Sequence, residues 1–173
     1  MKWIAFAAAL SLVACAQAEP PAEGVETPQE PAPTESAGAP AASEPAAASL
    51  ALQPMVFDEF STVVEPGLGC GFSAAGQTLF IATAEPRDDV RAKGVVKLDG
   101  RLIPVTRTEA GGYNALAGGG SFRGDAGLVI EIVRAPGEGT PSGTETRAWD
   151  ASLTVTQDGG GVAELSGTWD CGA

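Results

Sequence analysis

The sequence contains no histidine, and basic residues are scarce. Ten lysine and arginine residues stand against 22 aspartate and glutamate residues in 173 positions, a formal net charge of −12. General acid–base catalysis near neutral pH most often uses histidine, so its absence excludes Ser-His-Asp and Cys-His sites and argues against an enzyme. An acidic surface repels nucleic acid, which argues against that partner. It allows a basic protein partner without requiring one, because acidic exported proteins are common.

Cysteine is also rare, and the three present are Cys15, Cys70 and Cys171. Zinc sites need clustered cysteine and histidine ligands, and these cysteines lie far apart in the chain. The sequence therefore predicts no metal site and no cofactor. An odd cysteine count in an exported chain nevertheless requires an explanation.

No apolar run reaches the roughly 20 residues that a membrane-spanning helix needs. The apolar run at 3–13 follows Lys2 and leads into Leu12-Val13-Ala14-Cys15. A charged start, a short apolar middle and a small residue before the cut are typical of a secretory signal. The run resembles the lipobox of bacterial lipoproteins, although a plain secreted protein with an incidental cysteine is the alternative.

The lipobox resemblance implies that residues 1–14 are a signal peptide and that Cys15 carries the lipid. The membrane is then a partner through this anchor, because two or three acyl chains hold a protein stably at about 0.8 kcal/mol per buried methylene. Residue 16 is Ala rather than Asp. In Gram-negative families this implies the outer membrane, whereas in other hosts Cys15 would tether the chain outside the plasma membrane.

Lipidation of Cys15 would leave Cys70 and Cys171 as a pair. Exported proteins meet oxidising compartments, so we expect a disulfide between them, with two free buried thiols as the alternative. Residues 15–50 are expected to form the lipidated cysteine and a disordered tether. Positions 16–50 hold seven prolines, eleven alanines, six glutamates and no basic residue, a composition that cannot offset the entropy of ordering.

Residues 51–173 form one domain of ordinary size, with 9 basic and 16 acidic residues. Short β-branched runs alternate with Gly, Asp and Pro clusters, and no long helical periodicity is present. The pattern predicts an all-β domain of seven to nine mostly antiparallel strands. Either a sandwich or a small barrel satisfies it.

Two hairpins can be placed from the sequence. Asp99-Gly100 between apolar runs predicts a two-residue turn that pairs Leu98 with Arg101, because both turn positions favour positive φ. The second hairpin turns at 158–161. A four-residue loop would mix its polar and apolar faces, whereas a three-residue loop keeps them apart and pairs Trp149 with Trp169. The apolar pattern selects the three-residue loop.

Four further segments are assigned by composition. Residues 128–133 are nearly all apolar, which favours a central strand covered on both faces, with Glu131 needing a partner. Residues 78–83 show a similar pattern. Residues 55–64 and 113–122 are weaker strand candidates.

The layout from Cys70 to Arg134 ends in Phe122-Arg123-Gly124-Asp125 and a strand. It resembles the lipoprotein inhibitors of c-type lysozyme, which are small disulfide-closed β-barrels. The resemblance implies that Arg123 and Asp125 are candidate binding residues, although the family's serine-containing loop motif is missing. We therefore expect a membrane-tethered envelope lipoprotein with a non-catalytic β-domain for binding or structural interaction, and lysozyme inhibition is the alternative function.

Overall fold

The computed structural model describes residues 49–172 of the chain. The predicted signal peptide, Cys15 and most of the tether lie outside these residues. The described part is an all-β domain with two short helices, and its elements are α1 (Phe57–Phe60), β1 (Gly69–Ala74), β2 (Gln77–Thr83), β3 (Lys93–Leu98), β4 (Arg101–Arg107), α2 (Gly112–Ala117), β5 (Gly119–Gly124), β6 (Val129–Arg134), β7 (Thr140–Pro141), β8 (Arg147–Gln157) and β9 (Gly161–Gly172).

Eight of these strands close into an antiparallel barrel. Strands β1 to β6 pair in chain order, β6 pairs with β8, β8 with β9, and β9 returns to β1. Strand β7 is a two-residue addition that pairs with the start of β8. Closure removes the exposed sheet edges that a sandwich would leave. The all-β prediction is confirmed, and the barrel resolves the choice between the two architectures.

The β3–β4 hairpin has the predicted register. Leu98 pairs with Arg101 and Val96 with Ile103. Asp99 and Gly100 adopt φ values of 49° and 74°. Positive φ at both central positions matches the right-handed twist of the flanking strands, which is why an Asp-Gly pair suits this turn.

The β8–β9 hairpin also has the predicted three-residue loop, since Gln157 pairs with Gly161 and Trp149 with Trp169. The two indoles nevertheless have different neighbours. The Trp169 ring is fully buried and stacks on Phe80, with ring centroids 6.0 Å apart. The Trp149 ring is only partly buried and lies beneath the guanidinium of Arg134.

Side chains fill the interior of the barrel. Phe72, Phe80, Phe122 and Trp169 are fully buried, and Phe80 also meets Phe122 edge to face at 5.0 Å. Aliphatic residues from five strands complete the same core cluster: Leu79, Val96, Val105, Ile130, Ile132, Leu153 and Val155. An eight-stranded barrel is just wide enough for side chains to fill it, and this one holds a packed core.

Two segments cover the ends of the barrel. At one end α2 joins β4 to β5 and inserts Leu116, which is fully buried in the core cluster. At the other end the chain from Ser49 onward crosses the hairpin turns. The Leu50 amide donates to Val162 O at 3.1 Å, and the Gln53 amide donates to Lys97 O at 2.9 Å. Leu50 and Leu52 pack against the core from this side.

A smaller apolar cluster lies on the outside of the barrel wall. Met55 and Val64 are buried against Val95, whose side chain points outward from β3. Glu59 of α1 accepts a hydrogen bond from Lys97 Nζ at 2.5 Å. The segment that precedes β1 is therefore fixed on the outer faces of β2 and β3.

The disulfide joins the first and last strands of the barrel. Cys70 of β1 and Cys171 of β9 are register partners, and their sulfurs lie 2.12 Å apart. Both residues are 3% exposed. The cross-link therefore secures the pairing between the first and last strands of the chain.

Two expectations from composition are wrong, and a third is right only in part. Segment 55–64 contains α1 and no strand, whereas segment 113–122 contains most of α2 and then the first four residues of β5. Gly111 and Gly112, with φ values of 131° and 54°, redirect the chain into α2. Strand β6 is covered on its inner face alone, since Glu131 is exposed and Val133 is 56% exposed. Its run of apolar residues reflects β-branched strand formers in a barrel wall.

Candidate functional site

The two candidate binding residues taken from the sequence lie on different local structures. Arg123 is in β5 with its side chain exposed on the outer wall, and Asp125 is exposed in the turn after β5. The Leu128 amide donates to Asp125 O at 3.1 Å, which closes this turn. Within the described part of the chain, no hydrogen bond or ion pair joins Arg123 to Asp125.

Arg123 is part of a regular strand and does not lie in a protruding loop. It pairs with Thr106 of β4, and Thr106 pairs in turn with Lys93 of β3. Directly opposed residues of neighbouring strands present their side chains on one face. Lys93 and Arg123 therefore flank Thr106 on this side of the barrel, which carries positive charge.

Two other arginines hold the loop between β6 and β8. The guanidinium carbon of Arg134 lies 4.5 Å from the Trp149 ring centroid, and its Nη1 donates to Gly137 O at 3.1 Å. Trp149 Nε1 donates to the same carbonyl at 3.0 Å, and Arg147 Nη1 donates to Glu138 O at 3.0 Å. The two cations therefore hold the backbone of this loop in place.

Arg107 has a comparable structural role at the α2 end of the barrel. It is 9% exposed. Its Nε donates to Gly119 O at 3.2 Å, and its Nη1 donates to Glu109 O at 3.1 Å. Buried cations require such compensation, because an unpaired charge in the interior is costly. The side chain ties the two ends of the β4–β5 connection together.

The outer surface of β6, β8 and β9 forms what we call the acidic face. It consists of exposed residues that alternate with inward-facing core positions: Glu131, Val133, Asp150, Ser152, Glu164 and Ser166. Val133 pairs with Ser152, and Ser152 pairs with Ser166, so these three form one row across the wall. Glu131 and Glu164 lie in the next row, on either side of Thr154.

The carboxylates of the acidic face have no cationic partner in the region described. The ion pairs formed by residues 49–172 are Arg87 with Glu85 and Asp89, and Lys97 with Glu59. Arg134 borders the same face, but its guanidinium is bound to the loop and stacked on Trp149. The three carboxylates of this face are therefore exposed to solvent, and the neighbouring guanidinium of Arg134 is already bound to the loop and to Trp149.

An apolar groove runs along one side of the acidic face and has a volume of about 760 Å³. It is lined by Val133, Ala135, Pro136, Ala151 and Gly167, together with the polar residues Arg134, Asp150, Ser152, Ser166 and Thr168. The exposed Val133 side chain thus lies within a band of small and hydroxyl-bearing residues. The groove lining itself holds one carboxylate, Asp150, and one guanidinium, Arg134, while Glu131 and Glu164 lie in the row next to Val133.

Two other surface features are present. Val56 and Phe57 are 64% and 59% exposed at the start of α1, where Phe57 meets Phe60 edge to face at 5.3 Å. A groove of about 910 Å³ is lined by segments 63–68 and 83–93. Its lining includes acidic residues and also Arg91 and Lys93, so its charge selects no single class of ligand.

Two groups have displaced pKa values, and each has a local cause. Partial burial, followed by the negative charge of Asp170, raises the pKa of Tyr113 above its ordinary value of 10.0. The hydrogen bond from Lys97, followed by that from the Val56 amide, lowers the pKa of Glu59. Both groups keep their ordinary charge at neutral pH, so neither is poised for proton transfer there.

Residues 49–172 contain no cluster of three or more cysteine, aspartate or glutamate side chains that could hold a metal ion. No helix in that range is long and apolar enough to cross a membrane. Comparison with family models, curated proteins and solved structures finds no match to this chain.

The acidic face was not predicted from the sequence, although its parts were visible there. The alternation of polar and apolar residues in 149–155 and 163–171 marks one exposed side of each strand. The sequence could not show that β6 lies beside β8, because these strands are not consecutive in the chain and pair only when the barrel closes. Sequence alternation identifies an exposed face but does not identify its neighbours.

Proposed function

We propose that this protein is a lipid-anchored envelope lipoprotein whose barrel is a non-catalytic module for binding another protein. The packed interior carries this proposal. An eight-stranded barrel can hold one small ligand when its interior is open, but Phe72, Phe80, Phe122 and Trp169 fill this one. Recognition is therefore assigned to the outer surface.

The anchoring half of the proposal rests on Leu12-Val13-Ala14-Cys15 and its resemblance to a lipobox. The disulfide agrees with an exported protein, because such cross-links persist in oxidising compartments. Lipidation at Cys15 and a tether to residue 48 would hold the barrel near a membrane while leaving its outer wall accessible.

Inhibition of c-type lysozyme is the second candidate function. A disulfide-closed β-barrel is what that resemblance implies, and Arg123 is exposed. The placement of Arg123 within β5 weighs against a plugging loop. Lysozyme activity measured with the full-length protein and with Arg123→Ala separates the cases, because an inhibitor of this type would lose its effect in the variant.

Fractionation of native cells tests the anchor. Cys15→Ala should move the protein from the membrane fraction to the soluble fraction, whereas the neighbouring Ala16→Ser should leave it in the membrane. Chemical cross-linking of intact envelopes tests the binding role. Recovery of a reproducible protein adduct with the wild-type chain supports the role, and recovery of the uncross-linked chain alone contradicts it.

A further inference from the structure

We propose that the acidic face, with its Val133 groove, docks a cationic protein surface that carries an apolar residue at its centre. This inference rests on the proposed binding role and specifies where and with what chemistry binding occurs. Val133 is 56% exposed and lines the groove, and carboxylates lie on both sides of its row.

The register fixes the spacing of these charges. Neighbouring strands lie about 4.8 Å apart, so Glu131 and Glu164, two strands apart, are separated by about 10 Å across the wall. Asp150 lies on the opposite side of the Val133 row, and alternate rows on one face are about 7 Å apart. Lysine and arginine side chains around an apolar contact would match this arrangement.

The chain itself does not neutralise the acidic face. Outward-facing positions of β6, β8 and β9 include no lysine or arginine. Arg134 and Arg147 donate to backbone carbonyls of the loop that follows β6. Arg123 of β5 pairs with Val129, one row from Glu131, and forms no ion pair within residues 49–172. Uncompensated exposed carboxylates accelerate association with a basic partner and select against acidic ones.

Charge also excludes two other occupants. A second copy of this chain, docked through the same face, would oppose carboxylates to carboxylates, because a two-fold interface brings the same patch of each subunit together. Anionic lipid headgroups would be repelled for the same reason. A cationic protein is the occupant that satisfies both the carboxylates and Val133.

Site-specific photo-cross-linking of the full-length lipoprotein in its native cells tests the proposal. A photoreactive residue replaces Ser152 at the middle of the acidic face, or Thr106 between Lys93 and Arg123 on the positively charged side. We expect a protein adduct at position 152 and none at position 106. The linked segment of the partner, identified by mass spectrometry, should be rich in lysine and arginine.

Charge variants provide the matched control. Glu131→Gln with Glu164→Gln should reduce the adduct at position 152 by about fivefold or more. Asp88→Asn with Asp99→Asn removes the same charge from other exposed positions and should leave the adduct unchanged. Val133→Ser should also reduce the adduct, which separates the apolar contact from general electrostatic attraction.

Several results would overturn this proposal. One is the absence of an adduct at position 152, and another is an equal decrease of that adduct in both pairs of charge variants. A third is an adduct with a second copy of this chain or with an acidic segment of another protein. An adduct at position 106 alone would contradict the assignment of the acidic face as the docking site and leave the proposed binding role intact. If the envelope cross-linking experiment also fails, the binding role itself is contradicted.

Discussion

Single residues in this barrel differ widely in how strongly their surroundings constrain them. Trp169 is fully buried and stacks on Phe80, whereas Trp149 is partly buried and contacts Arg134 and the loop backbone. The sequence places the two tryptophans opposite each other, and the register agrees. What it could not supply is the identity of each ring's neighbour, since Phe80 reaches Trp169 across the barrel interior.

The two tryptophans should therefore differ in their contribution to stability. Trp169→Ala is expected to lower the free energy of unfolding by about 3–5 kcal/mol, because it leaves a large cavity in the packed interior. Trp149→Ala should cost less, since its ring is partly solvated. Urea denaturation followed by circular dichroism measures both values, and equal losses would show that the burial difference has no energetic consequence.

Tyr113 is the single tyrosine of the chain, so its ionisation can be followed directly by ultraviolet absorbance. Its pKa is raised in the folded state, which means that the folded protein holds the phenolic proton more tightly than the unfolded chain. This contribution to stability is present below the unfolded pKa and is lost as pH rises through the folded pKa.

The titration midpoint of Tyr113 should lie above 10.0 in the native protein and return to about that value in denaturant. Asp170→Asn should lower the native midpoint, because it removes the negative charge that opposes tyrosinate. Asp99→Asn, at a distant turn, serves as the control. A native midpoint equal to the denatured one would contradict the described environment of this residue.

At the scale of elements, local turn and alternation signals in the sequence predicted the structure better than composition did. The Asp99-Gly100 turn and the glycine-rich β8–β9 loop specify registers through backbone geometry and alternation, and both registers were predicted correctly. The helices α1 and α2 were missed because each is a single short turn or two, below the length at which helical periodicity becomes visible.

The disulfide is the element-level feature with the largest expected effect on stability. Replacing Cys70 and Cys171 together with alanine should lower the free energy of unfolding by about 2–5 kcal/mol, since the bond closes a loop of 101 residues and restricts the unfolded chain. Chemical denaturation of the double variant measures this loss. Cys15→Ala should leave the unfolding midpoint unchanged, and a similar loss there would contradict the assignment.

Across the whole molecule, charge is distributed unevenly over the barrel wall. Lys93 and Arg123 lie on the outer faces of β3 and β5, whereas Glu131, Asp150 and Glu164 lie on β6, β8 and β9. The net acidity was evident from composition, but its segregation depends on closure of the sheet through β6 and β8. A count of charges therefore gives the net acidity but not which surface carries it.

The proposed anchor at Cys15 is the feature on which the proposed location and the proposed binding role both depend. Mass spectrometry of the protein isolated from its native cell tests it most directly, because it reads the mature amino terminus and any modification at once. We predict a chain that begins at Cys15 with a diacylglyceryl group on the sulfur. A mature terminus at another residue, or an unmodified Cys15, would contradict it.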